Sequence, residues 1–400
     1  MIEEILTRLP VKSLCRFKCV SKSWSSLISD NPSFVASHLY KGIGEDKDDL
    51  LFRRRRRVIF TDAAGNGLHS MHLDYDDEFL NHNKEEDGSS DHDNRNLTTA
   101  TELQYVYSEL SGISVSMLGW CNGLLLCMFL YDPQLYLVNP ATRQSKKLPE
   151  IPTEYLIDDL YYFCDVYGFG FDSSTHQHKV VNGIVYRTNV RDDDEGGVQF
   201  NVYTLETNSW RQIHEYVFPY HIFPCRNKGT LLNGNLHWLG TRVGEDDDHH
   251  SSLLIVSLVL SLTQDQEEVR EIPLPREINS SQTRRSKLGV FREWLCVTFE
   301  GEYGKATPTY NEFWVMKEYG VGESWTKMTV SIPYWNLSHS GFWTKSHDLM
   351  VFEEELVMYN FNDHSFRNLR VREIGKVGSV ETYWESIVSL KKSEKNKRSN

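Results

Sequence analysis

No stretch of this 400-residue chain is apolar for long enough to cross a bilayer. The longest apolar run, Leu253 to Leu262, falls short of the ~20 residues a spanning helix needs, and serines interrupt it. No secretory leader precedes the amphipathic first residues, so the expectation is a soluble protein of the cytoplasm, the nucleus or both. Cysteine is scarce: there are seven, an odd number at irregular spacings, and Cys121, Cys127 and Cys296 sit in apolar company. That pattern fits buried thiols in a reducing compartment and not a disulfide framework. The sequons at Asn96, Asn279 and Asn336 are then chance matches, because glycosylation needs the secretory route. Positive charge is also in deficit, with 43 Lys and Arg against 56 Asp and Glu and a net charge of −13. Nonspecific nucleic-acid or anionic-membrane binding needs a positive field, so neither partner is expected.

Catalytic signatures are missing as well. Gly301, Gly304 and Lys305 have the wrong spacing for a phosphate-binding loop, and Gly168 and Gly170 lack a third glycine and a following helix. There is no nucleophile elbow. His176 and His178 alternate on an expected hairpin, which would put both imidazoles on one face as a metal site might require, but a surface hairpin is the expected reading. The Glu245 to His250 cluster is one contiguous polar loop without a spacing that would fix coordination geometry. No catalytic residue, metal or cofactor is expected. Trp210, Trp325 and Trp343 could line a glycan or peptide site, but the shared place of Trp210 and Trp325 in a repeated unit points to staples between the strands of their sheets.

What the chain does have begins at its first residues. Ile2, Ile5, Leu6 and Leu9 recur at the spacing of an amphipathic helix that Pro10 ends. Ser13 can cap a second helix carrying Leu14, Phe17 and Val20. The Ser21 to Ser23 cluster precedes a third with Trp24, Leu27 and Ile28, and Asn31 caps a fourth with Pro32 at its first position. Forty residues this apolar cannot bury all of their own surface, so some of it should meet a partner.

Between Lys41 and Thr101 the composition shifts. Leu50 to Phe60 reads as an edge strand interrupted by the arginine run Arg53 to Arg57, and Asp74 to Asn96 as an acidic, disordered loop. The arginines are expected on a solvated strand edge, with a nuclear localisation signal as the alternative. The basic tail, 391–400, carries the same ambiguity.

From Met117 a unit returns: YLVNPATRQSKKLP from Tyr136, YGFGFDSSTHQHKVV from Tyr167, VYTLETNSWRQI from Val202, FWVMKEYGVGESWTKMTV from Phe313 and VMYNFNDHSFRNLRV from Val357. In each, an apolar strand runs into Asn, Asp, Thr or Ser, crosses a turn and resumes. Between these units, Lys228 to Gly240 reads as a hairpin turning at Asn233 and Gly234, and Leu288 to Glu300 as a strand around Trp294. Short antiparallel strands returning at roughly 30 to 50 residues are the pattern of a β-propeller, with a two-sheet β-sandwich as the alternative. The fold class expected is therefore α+β and multidomain: small N-terminal helices, then an antiparallel all-β domain.

These motifs carry a family resemblance. IEEILTRLPVKSL, CRFKCVSKSW and SLISDNPSFVASHL resemble the F-box of plant F-box proteins, with Leu9, Pro10, Val11, Lys12, Ser13, Leu14, Val20, Ser21, Lys22 and Trp24 in the family's order and spacing. LGWCNGLLL, YLVNPATRQSKKLP, YGFGFD, NGNLHWLG and ETYWESIVSL are similar to the plant F-box-associated domain; kelch repeats compare less well, because their paired glycines are mostly absent. The resemblance implies an F-box over 1–40, an intervening segment over 41–116, a propeller-like domain over 117–390 and a flexible tail over 391–400. It further implies a non-catalytic substrate receptor of an SCF-type cullin-RING ubiquitin ligase. The Skp-family adaptor, and through it the cullin, would be held with Ile5, Leu9, Pro10, Val11, Leu14, Val20 and Trp24 at or behind the contact, and the second domain would recruit a target protein. The alternative is a protein- or glycan-binding propeller that works without the adaptor. The family's F-box opens with a Leu-Pro-acidic segment a few residues ahead of where Met1 stands, so either the natural start lies upstream or this form holds the adaptor more weakly.

Overall fold

The computed structural model describes residues 2–43, 55–62, 64–72, 97–98, 100–103, 114–129, 132–152, 156–157, 160–188, 196–213, 217–223, 228–243, 253–260, 268–275, 277–278, 286–299, 311–331, 336–337, 347–352, 355–371, 374 and 376–390. The acidic stretch 74–96, Arg53 and Arg54, the Glu245 to His250 cluster, Gly301 to Lys305, Trp343 and the tail 391–400 lie outside them. The chain divides into two compact units. One comprises Met1–Val115, Asn139–Gln144 and Tyr334–Ser389, the other Ser116–Val138, Ser145–Pro333 and Leu390–Asn400.

The first unit opens with four helices: α1 (Ile2–Leu6), α2 (Val11–Phe17), α3 (Lys22–Asp30) and α4 (Pro32–Ile43). Helix α2 begins at Val11 with Pro10 at the cap position, so Ser13 lies inside it and does not cap it. The Ser21 side chain accepts from the Trp24 amide at 3.2 Å and starts α3, and Asn31 Oδ1 accepts from the Phe34 amide at 3.0 Å and starts α4. Both caps hold donors that would otherwise have no partner in a first helical turn.

Two sheets complete this unit. In one, Arg56–Asp62 lies between Val377–Trp384 and Leu68–Met71, with Thr101–Glu102 outermost. Arg56–Asp62 is thus an inner strand and not the edge strand expected, and it pairs with a strand from the far end of the chain. The other sheet runs Asn336–Leu337, His347–Phe352, Glu355–Asn360, Phe366–Val371 and, parallel to the last, Leu97–Thr98. Val58, Phe60, Leu349, Leu356, Leu369 and Val380 bury a shared core between these two sheets.

Among the described residues of the second unit lie three whole sheets, Leu156–Ile157 to Ser209–Gln212, Tyr220–Ile222 to Val269–Pro273 and Ser286–Phe291 to Trp325–Val330, and most of a fourth, Val115–Cys121 to Gln144–Lys147. All described pairings within them are antiparallel. Apolar side chains fill the space between neighbouring sheets. Val166, Val181 and Phe200 meet Leu236, Trp238 and Val256 across one such interface, and Leu239, Ile255 and Ile272 meet Leu295, Val297 and Met316 across the next. Among the described residues the strands fall into six small sheets, antiparallel but for the Leu97–Thr98 pairing, where a sandwich would have gathered them into two.

The turns explain the repeated sequence unit. Arg143, His176, Asn208 and His364 all adopt left-handed backbone at φ 56°, 55°, 58° and 60°. Each stands four positions after the residue that ends the preceding strand: Asn139, Asp172, Thr204 and Asn360. Three of those four accept from turn amides, Asn139 from Ala141 and Thr142, Asp172 from Ser174, and Asn360 from Asn362, which is why Asn and Asp recur there. The tighter hairpins use Asn122-Gly123 and Asn233-Gly234, both residues at positive φ, as a two-residue turn requires. Arg292, at φ 59°, turns the chain between Ser286–Phe291 and the strand Trp294–Phe299, and the two pair as a hairpin.

Candidate functional site

The four helices surround a small apolar core of Leu6, Val11, Leu14, Ile28 and Phe34, with Leu9, Phe17, Trp24 and Leu27 packed against it. Phe17 and Trp24 meet edge to face at 5.6 Å between ring centres. The helices do not close this core alone. Ile387 and Ala141, from two distant parts of the same unit, enter it. Asn139 fixes the segment that carries Ile387, its side-chain amide donating to the carbonyls of Ser386 at 3.0 Å and Val388 at 2.8 Å.

Arg55 attaches the module through polar contacts. Its guanidinium is 1% exposed and donates to the carbonyls of His38 at 2.6 Å, Thr7 at 2.6 Å and Leu9 at 2.9 Å. Thr7 and Leu9 lie in the α1–α2 turn and His38 in α4, so a single side chain satisfies carbonyls from two parts of the helical module. The His38 imidazole also donates to Leu9, Nε2 to O at 3.0 Å. Burial, reinforced by the Arg55 charge, pushes the His38 pKa down to about 4. Arg55 in turn is tied to the sheet, because its carbonyl accepts from the Glu385 amide at 3.0 Å and Arg56 is the next residue of the strand. Arg56 is equally buried: its guanidinium donates to Thr382 Oγ1 at 3.2 Å and lies over the Trp384 ring, and burial lowers its pKa to about 10. Arg57 pairs with Glu385 at 3.0 Å. The described part of the arginine run is therefore internal structure, not a solvated edge.

The residues expected at the adaptor contact fall into two groups. Ile5 is 56% exposed and Val20 62%, and Pro10 is exposed beside them in the sequence order of the motif. Val11 and Leu14 are fully buried, and Leu9 and Trp24 are half-buried against the same core. Of the seven, Ile5, Pro10 and Val20 are exposed, Leu9 and Trp24 partly so, and Val11 and Leu14 have no exposed surface. Ile2 is 60% exposed; its i, i+3 relation to Ile5 was the sequence signal that it shares that face. The helix spacing placed Ile2, Ile5, Leu6 and Leu9 on one stripe, and the structure buries only its C-terminal half.

In the second unit the conspicuous side chains are structural. His178 Nδ1 lies 3.3 Å from Glu206, and His176 and His178 both pack on Phe171, His176 from the turn itself. Among the described residues no group of three His, Cys, Asp or Glu side chains is placed to hold a metal ion. The Trp210 indole N–H donates to the Pro149 carbonyl and that of Trp325 to the Pro273 carbonyl, each at 2.9 Å. Both tryptophans thus fasten their sheet to the end of the preceding one, where strand-to-strand stapling within the sheet was expected. A cleft of about 490 Å³ is lined by Leu253, Glu271, Leu274, Pro275 and Ile278. The Glu271 carboxylate there is already engaged by Tyr220 at 2.8 Å and Arg242 at 2.5 Å. No described helix is long and apolar enough to cross a membrane.

Comparison with known proteins agrees with both parts. Residues 1–35 match the F-box domain family, and residues 71–395 match the family described as the F-box associated beta propeller domain. The F-box protein CPR1 of Arabidopsis thaliana is 26% identical over 97% of this chain and 87% of its own length. The F-box/kelch-repeat protein At3g23880 of the same plant is 28% identical over 97% of this chain and 94% of its own, and the F-box protein At3g07870 is 29% identical over 82% and 70%. With family matches over both the helices and the sheets that follow them, the chain belongs to the F-box proteins that carry an F-box associated beta propeller domain.

Proposed function

We propose that this protein is the substrate-recognition subunit of an SCF-type cullin-RING ubiquitin ligase. Residues 1–40 hold a Skp-family adaptor and through it the cullin, and the propeller-type domain, 117–390 together with the strands that precede it, presents a target protein. The observation that carries the proposal is the F-box match over a module whose core is closed by Leu14 and Val11 while Ile5 and Val20 remain on its surface. Two large aliphatic side chains more than half exposed on one small module are what a partner interface would cover. The chain itself performs no bond chemistry. It raises the local concentration of target lysines near a charged ubiquitin-conjugating enzyme, which is catalysis by proximity. Work of this kind is expected in the cytoplasm or nucleus.

Full-length chain co-purified with a Skp-family adaptor tests the proposal. Ile5→Asp combined with Val20→Asp should leave the fold intact and weaken adaptor capture by tenfold or more, ~1.4 kcal/mol or greater. A wild-type chain that captures no adaptor, or a double variant that captures it as well as wild type, sinks the proposal. Either outcome would favour a binding protein that works without the adaptor.

A further inference from the structure

We infer that Arg55 is a positioning residue: it fixes the orientation of the helical module on the sheet formed by Val377–Trp384 and Arg56–Asp62, so the module is held as a bracket and not as a tethered bead. The inference rests on the proposed ligase role for its consequence, but not for its geometry.

Three observations carry it. First, the guanidinium spans the module, reaching His38 through Nη1 and both Thr7 and Leu9 through Nη2 at 2.6 to 2.9 Å. Two nitrogens of one planar, rigid fork define an orientation, which a single flexible ammonium contact would not. Second, the same residue belongs to the sheet side: its carbonyl accepts from Glu385, and the chain continues directly into the strand that pairs Arg56 with Trp384 and Arg57 with Tyr383. No flexible linker separates the guanidinium from the sheet. Third, the apolar contact around it repeats the arrangement, with Ile387, three residues beyond Trp384, entering the helical core beside Leu6 and Leu14. A module attached only by a flexible segment would need none of these bonds.

The consequence concerns which lysines are modified. If the adaptor fixes the helices relative to the ubiquitin-conjugating enzyme, a rigid bracket gives each lysine on the held partner a defined distance to it. A loosened bracket samples many distances and lowers the effective concentration at any one of them.

The test uses the full chain. Paramagnetic labels on native Cys19, which is exposed, and on Ser379→Cys report the distance from the helical module to the sheet, with Cys15, Cys164 and Cys225 replaced by serine. Wild type should give a narrow distribution. Arg55→Ala, and to a smaller degree Arg55→Lys, should broaden it about twofold or more, while Arg57→Ala, which loses the pair with Glu385, should not. In a reconstituted ligase, Arg55→Ala should bind the adaptor with wild-type affinity yet modify a wider set of lysines during self-ubiquitination, read by mass spectrometry. A distribution as narrow as wild type in a folded Arg55→Ala chain overturns the inference. So does loss of the helical module in both Arg55→Ala and Arg55→Lys, since Arg55 would then be a core element and not an orienting one. If the wild-type chain binds no adaptor but the labels behave as described, the ligase role fails and the bracket stands.

Discussion

The Trp325 indole donates its N–H to the carbonyl of Pro273, 2.9 Å away on the last strand of the neighbouring sheet, and Trp210 repeats the contact with Pro149. The two tryptophans occupy equivalent places after a turn, but their surroundings differ. Trp325 is 8% exposed and packs among Leu239, Ile272 and Leu295, whereas Trp210 is half-buried and rests on Tyr203 at 5.4 Å. Trp325→Ala should therefore destabilise the chain by about 3 to 5 kcal/mol, as for other buried aromatics, and Trp210→Ala by about 1 to 2 kcal/mol. Chemical denaturation of both variants checks the ranking. Equal losses would mean that the hydrogen bond, which they share, matters more than the burial, which they do not.

A second relationship joins neighbouring sheets through charge. The Lys179 ammonium, buried, donates to Asp172 at 2.9 Å and to the Leu260 carbonyl at 2.8 Å, and Asp172 also accepts from Ser174 and Thr175. Burial alone would raise the Asp172 pKa, but these donors outweigh it and hold the carboxyl far below the usual range. Asp172→Ala leaves a buried ammonium without its carboxylate and should cost about 3 to 5 kcal/mol. Adding Lys179→Met should recover part of that loss. A double-mutant cycle in which the two losses simply add, within about 0.5 kcal/mol, would show that the pair is not coupled.

Much of this was legible in the residues because it is local. The Asn and Asp at strand ends mark a turn whose fifth residue is left-handed, and Asn233-Gly234 marks a hairpin; both depend only on neighbours in sequence. Helix caps at Ser21 and Asn31 belong to the same class, although Ser13 shows that a candidate cap loses where proline already starts the helix one turn earlier. Arg55 and Arg56 were not legible. Five arginines in a row look solvated because burying a guanidinium is costly, and the groups that offset the cost, Thr7, Leu9 and His38 for one and Thr382 and Trp384 for the other, lie outside the run. The pairing of Arg56–Asp62 with Val377–Trp384 is hidden for the same reason, as nothing in either strand names its partner.

The helical core predicts a split between stability and binding. Leu14 is fully buried among Leu6, Val11, Ile28 and Phe34, so Leu14→Ala should cost about 2 to 5 kcal/mol of module stability and lose adaptor binding only as a result. Lowering the temperature to restore the fold should then restore binding. Ile5→Ala, at a surface position, should weaken binding with the melting temperature unchanged. A cold Leu14→Ala chain that is folded but does not bind would move Leu14 from the support to the contact itself.

Two buried histidines give stability a pH dependence of known sign. His237 donates through Nδ1 to the Thr230 carbonyl at 2.9 Å and receives the Tyr319 hydroxyl on Nε2 at 2.6 Å, so the folded chain holds it neutral, and burial pushes its pKa down to about 4. His38 is likewise pushed to about 4. An exposed imidazole in the unfolded chain titrates near 6.5, so between about pH 6.5 and pH 4 the unfolded state binds more protons, and stability falls as pH falls through that window. Each histidine contributes up to ~1.4 kcal/mol per pH unit there, and nothing above about pH 7. Melting at pH 7 and pH 5 checks this with His237→Asn, whose side-chain amide can still donate toward Thr230. That variant should melt lower than wild type at pH 7 but lose less on acidification, and His38→Asn should show the same pattern for the helical module. If both variants lose as much as wild type between pH 7 and pH 5, the acid sensitivity comes from other groups and these imidazoles are not its source.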